Sequence, residues 1–165
     1  MIKNIPYSAL YENIRSRVRF CERYYRCRWR ENMTKREERE HLFRILFCKD
    51  FHDMEELKEQ VDLYQEQQEG ITVEEFIPIR KKLEALVEVE GSIDMILSES
   101  ATGWRLNRMG KAELAILRIA VYEMRYDETV PDKVAINEVV ELAKKYGNEA
   151  SSGFVNGVLA KIIEQ

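Results

Sequence analysis

Histidine and cysteine are scarce in this chain, at two and three residues among 165. The cysteines, Cys21, Cys27 and Cys48, are odd in number and lack paired spacing. That argues against a disulfide framework and fits a reducing, cytoplasmic setting. Glu38-x-x-His41 has the spacing used in di-iron helix bundles, but such a site needs a second copy. The residue three before His52 is Lys49, so both histidines are expected to be solvated surface groups and no metal is expected. Cys48, without a histidine placed to activate it, is expected to pack as a small apolar residue. No apolar run approaches the ~18 residues of a membrane span, and the first twenty residues lack the apolar core of a secretory signal. None of the seven glycines falls in a G-x-x-x-x-G-K-[ST], G-x-G-x-x-G or G-x-S-x-G pattern, so no enzyme and no cofactor is indicated.

What is present is a chain 45% apolar and 34% charged, enough for one domain with its own core. Its formal charge of −4 hides two populations. Residues 1–32 hold eight basic and three acidic side chains, a net of +5, which leaves 18 basic and 27 acidic in residues 33–165, a net of −9. The first 32 residues also carry six of the sixteen aromatics. Arginine interleaved with aromatics suits single-stranded RNA, the cations for phosphate and the rings for stacking. The alternative is a leader outside the native protein. Trp29 is encoded by TGG, and an AGG codon at Arg30 would spell GGAGG, a bacterial ribosome-binding site, just ahead of Met33. The chain is therefore divided into a basic, aromatic-rich extension, 1–32, and a body, 33–165.

The body reads as helices with short punctuation. Thr34-x-x-Glu37 and Thr72-x-x-Glu75 are capping boxes, each opening an apolar pattern of helical period. The first pattern runs through Leu42, Phe43, Leu46 and Phe47 to about Asp50. A second, through Leu57, Val61 and Tyr64, stops at Gly70. The third follows Thr72, with Pro78 in its second turn, where it can shift the start or bend the helix. Gly91 is expected to break or kink the next stretch. Residues 111–126, KAELAILRIAVYEMRY, are apolar over most of the circumference, as in a central helix covered on several sides. Val134, Ile136, Val139, Val140 and Ala143 pattern a helix after Pro131, and a last one starts near Ser151. With no alternating strand, the fold class is all-α, a bundle of six or seven helices.

Four segments in the C-terminal half occur in a distinctive order and spacing: LRIAVYE from Leu117, VPDKVAINE from Val130, ELAKKYG from Glu141 and FVNGVL from Phe154. Together they resemble the NusB family of bacterial transcription antitermination proteins, over residues 33–165. The resemblance implies an all-α fold of two packed helical halves. It also implies binding of boxA-like single-stranded RNA together with the ribosomal protein NusE, and action within the RNA polymerase antitermination complex. Self-association through the basic face, giving a homodimer, is a further implication.

Carried onto this chain, the family's arginine-rich motif falls on Lys35, Arg36 and Arg39, with Arg44 beyond. Glu37 and Glu38 interrupt it. Such side chains neutralise phosphate, although alone they would be read as i,i+4 pairs, Glu40 with Arg44 and Arg36 with Glu40, on a solvated face. Phe47 stands where the family often has Tyr, and either stacks on a base or packs beside Leu46. Phe154 and Asn156 form a second RNA-binding candidate at the last helix, where free N–H groups can receive phosphate. The alternatives are a core ring and a buried amide. A basic residue usual before that Phe is replaced by Gly153. Glu113 matches a position facing the NusE partner. Two rival readings remain: an interaction adaptor of the same fold without RNA binding, and a fragment of an rRNA methyltransferase, for which these 165 residues contain no cofactor-binding α/β pattern.

Overall fold

The structure is a computed structural model that describes residues 33–49, 51, 54–101 and 105–164. Expectations for residues 1–32, Cys21 and Cys27 among them, and for His52 lie outside the described residues. Seven α-helices and one 3₁₀ turn make up the described part, which contains no strand. They are α1 (Lys35–Lys49), α2 (Met54–Glu66), α3 (Val73–Glu88), α4 (Glu90–Ser100), the 3₁₀ turn Leu106–Arg108, α5 (Lys111–Tyr126), α6 (Asp132–Tyr146) and α7 (Ser151–Ile163). Each described helix falls short of a membrane span in length or apolarity.

Both capping boxes form. Before α1, the Thr34 backbone N–H donates to Glu37 at 2.9 Å and the Glu37 N–H to the Thr34 hydroxyl at 3.3 Å. Thr72 and Glu75 do the same before α3, at 3.0 and 3.2 Å. This satisfies donors that a helix start otherwise leaves open. Pro78 lies inside α3 and does not shift its start. The break expected at Gly91 comes two residues earlier. Val89, at φ −102° and ψ 7°, is shared as the end of α3 and the beginning of α4, and Gly91 sits in the first turn of α4. Gly70, at φ +81°, makes the turn between α2 and α3 in a conformation that other residues adopt at a cost.

Helix α5 is the central helix of the described residues. Every residue from Leu114 to Val121 is buried, because α1, α3, α4, α6 and α7 all pack on it. Among the described helices, α1 packs on α2 and α3, α7 packs on α4 and α6, and α5 touches both groups. Phe76, Leu86, Ile93, Leu97, Ile116, Leu117, Leu159 and Ile162 are among the fully buried side chains. Arg118 is one of two buried charges in this helix, with Glu123, and is held by Glu90 at 2.9 Å and by Asp94 at 2.8 and 2.9 Å. Val134 departs from its apolar pattern: it is 44% exposed, since α6 turns Ala135, Val139, Leu142 and Ala143 inward instead.

Candidate nucleic-acid interface

The basic residues of α1 divide between surface and interior. Lys35 is exposed and reaches Glu38 at 2.8 Å. Arg36 is 62% exposed and does not pair with Glu40. It forks onto Glu138 of α6, Nε donating to one oxygen at 2.9 Å and Nη2 to the other at 3.2 Å. Arg39, one turn on, faces inward and is 6% exposed. Its Nε lies 2.8 Å from both Glu123 oxygens, and Glu123 also receives Lys82 at 2.5 Å. The Arg39 guanidinium thus ties α1 to α5 and is not presented to solvent as a phosphate ligand would be.

Arg44 is held at the other end of the helix. It donates to Glu40, as helical spacing predicts, and to the Tyr146 hydroxyl at 3.0 and 3.3 Å. Glu40, 7% exposed, accepts in addition from Lys145 at 2.7 and 2.8 Å and from the Tyr146 hydroxyl at 2.5 Å. Burial would raise the Glu40 carboxyl, but hydrogen bonds from Lys145 and Tyr146 and the Arg44 charge overcome it and hold the group below the usual range. Charge-assisted bonds of this kind favour the ionised carboxylate. The Tyr64 hydroxyl is pushed up to about 12, chiefly by burial.

His41 corrects the expectation of a solvated histidine. It is 8% exposed and its Nδ1 lies 2.7 Å from the Tyr64 hydroxyl, because α2 covers this side of α1. Cys48 is half-buried, as a packing residue would be, and burial raises its thiol.

Helices α1 and α6 enclose a recess lined by Arg36, Arg39 and Glu40 from the first, and Glu138, Glu141, Leu142, Lys144 and Lys145 from the second. Four cations meet three carboxylates there. The i,i+3 pair Lys144–Glu141, at 2.7 Å, lies on its rim. Sequence patterning alone did not single out Glu138, Lys144, Lys145 or Tyr146. The adjacent Lys144-Lys145-Tyr146 in the fourth turn of α6 was the available signal.

The aromatic and C-terminal candidates are placed more mixedly. Phe47 is partly buried against the core, with its ring 6.1 Å from Phe43 and 5.7 Å from Phe51. Phe154 is likewise partly buried, whereas Asn156 is exposed, which removes the buried-amide alternative. Helix α7 begins three residues before Phe154, whose N–H is already bonded to the Ala150 carbonyl at 3.0 Å. In the turn before Phe154 the Ala150 and Ser151 N–H groups are also taken, by the Asn148 side chain at 2.9 Å and the Asn148 carbonyl at 3.1 Å.

Glu113 is half-buried and receives the Ser151 hydroxyl. The Ser151 oxygen in turn accepts the Asn148 N–H at 2.8 Å. This carboxylate joins the first turn of α5 to the first turn of α7, and so fixes the corner that carries Phe154 and Asn156.

The NusB family matches residues 36–164. The transcription antitermination protein NusB of Lachnoclostridium phytofermentans is 53% identical over 132 residues, 80% of this chain and all of that protein. The structure of T. maritima NusB superposes with a TM-score of 0.70 at 30% identity, covering 81% of this chain and 93% of the other. A chain from a crystal structure of antitermination factors NusB and NusE in complex with dsRNA shares the fold, with a TM-score of 0.67 at 24% identity over 80% of this chain and 98% of that one.

Proposed function

The chain belongs to the NusB family of transcription antitermination proteins, and from this we propose that it binds boxA-like single-stranded RNA together with NusE, acting on RNA polymerase during ribosomal RNA transcription in the cytoplasm. The observation that carries the reading is the 53% identity to an antitermination protein over that protein's whole length. The family's role is regulatory, and we assign no catalytic step to this chain.

The RNA surface we assign is the outer edge of α1 with the adjoining edge of α6. Lys35 and Arg36 are the exposed cations of α1, and Lys144 and Lys145 extend the strip across the recess. Arg44, Phe47, Phe154 and Asn156 remain in the candidate surface, with the two rings half-covered. Arg39 supports it from inside by holding α1 on Glu123. Glu113 is the candidate residue for NusE, and it also positions the α7 corner. Residues 1–32 are assigned to a segment separate from this RNA-binding unit. Two facts support that: the family match begins at residue 36, and the Thr34 cap opens α1 by itself.

An acidic body repels RNA at long range, so binding depends on local contacts and on a basic partner. Fluorescence titration of boxA-like RNA should therefore show weak binding by the protein alone and much tighter binding with NusE. Lys35→Ala/Arg36→Ala should weaken the complex without unfolding the protein. Binding that is equal with and without NusE at physiological salt would refute the partner dependence. An absence of RNA binding with NusE present would favour the adaptor reading, for which the carboxylates facing these cations are the specific support.

A further inference from the structure

The cations of the α1–α6 edge face carboxylates of their own chain, and these pairs are not equivalent. Lys35–Glu38 and Lys144–Glu141 are i,i+3 pairs within one helix, the exposed kind that holds little energy. Glu40 and Glu123 are buried and each serves several donors. Glu138 differs from both groups. It crosses from α6 to α1 and meets Arg36 through two parallel N–H···O contacts of 2.9 and 3.2 Å. The Arg36 side chain is 62% exposed and Glu138 23%.

Two oxygens of a phosphate present the same fork to a guanidinium that a carboxylate does. The Glu138 carboxylate therefore occupies, in the free protein, the position a phosphate would take on the most exposed arginine of the edge. It also has somewhere else to go. The Arg39 Nη1 lies 4.0 Å from Glu138 Oε2, at the base of the recess. Turning from Arg36 towards Arg39 would leave the Glu138 charge compensated while Arg36 is released outward.

We propose that Glu138 is an internal competitor for RNA phosphate at Arg36, so that RNA binding exchanges the Arg36–Glu138 pair for Arg36–phosphate and transfers Glu138 to Arg39. This rests on the RNA-binding reading above and concerns the same surface. The competition lowers affinity for any phosphate backbone and leaves base recognition to carry a larger share of the total, since phosphate contacts are sequence-independent.

The test is titration of labelled boxA-like RNA into the full chain with NusE, using wild type, E138Q, R36A and R36A/E138Q. Glutamine keeps the shape and removes the charge. E138Q should bind about two- to fivefold more tightly, the scale of an exposed ion pair, and the gain should vanish when Arg36 is alanine. An unchanged or weaker E138Q would overturn the proposal and make Glu138 a residue that only positions Arg36. A gain that persists in the R36A background would overturn it as a general charge effect. Failure of every variant and the wild type to bind RNA would instead overturn the RNA-binding reading itself, and this proposal with it.

Discussion

At the residue scale, neighbouring arginines on α1 do different work. Arg36 is mostly solvated, so Arg36→Ala should change stability by no more than about 0.5–1 kcal/mol. Arg39 is buried against a carboxylate whose side chain is fully covered. Arg39→Ala leaves Glu123 with only Lys82 and should cost about 3 kcal/mol, the penalty of a broken buried pair. Urea denaturation of the two variants distinguishes them, and equal midpoints would contradict the assignment. It follows that a loss of RNA binding in an Arg39 variant would report the position of α1, not a lost phosphate contact.

Glu40 adds a pH dependence with a definite sign. Its folded carboxyl is held below the ordinary range, so the stabilisation is present above the unfolded value of about 4.3 and is lost as pH falls through the folded value. Glu40→Gln should lower stability by about 2 kcal/mol near neutrality. The gap to wild type should hold constant above the unfolded value and narrow as pH falls below it and through the lowered folded value, as the native carboxyl protonates and comes to resemble the amide. A gap constant through that fall would show that the Glu40 charge is not what holds Arg44, Lys145 and Tyr146 together.

At the element scale, the corner between α6 and α7 leaves no room for an added side chain. A Cβ added at Gly147 would stand 2.3 Å from the Ser151 Cβ and 2.6 Å from the Ala143 carbonyl oxygen. Gly147→Ala must therefore push α7 from α6 and strain the Asn148–Ser151–Glu113 chain of hydrogen bonds. A loss of about 2 kcal/mol is expected, in the range of overpacking, measured by thermal unfolding. Thr72→Ala should cost about 1 kcal/mol through its cap alone. Equal effects would mean that the corner yields.

The same elements show what a sequence can and cannot disclose. Both caps, the all-round apolar α5 and the Glu40–Arg44 pair depend on residues three or four apart, and local periodicity reveals them. Arg39 and Glu123 are 84 residues apart, and Arg36 and Glu138 are 102 apart. Helical spacing alone offers Glu40 to Arg36 and solvent to Arg39 and His41. Only the packing of α2, α5 and α6 around α1 decides otherwise. The candidate site was therefore legible as a set of cations, but not in which of them face outward.

At the scale of the whole molecule, charge is the organising quantity. Residues 33–165 carry a net of −9 and residues 1–32 a net of +5. If the RNA-binding unit is the body alone, a chain starting at Met33 should unfold at the same temperature as the full chain and keep its NusE-dependent RNA binding. The extension would still attract RNA through its cations, because each phosphate neutralised releases a counterion. The full chain should then bind RNA more tightly than the shortened one at low salt. The difference should close as salt approaches physiological strength, where the screening length falls to about 8 Å. Titrations of both chains across a salt series, with and without NusE, measure this. If the shortened chain lost its RNA binding at physiological salt while remaining folded, the extension would be part of the site, and the strip along α1 and α6 would be insufficient by itself.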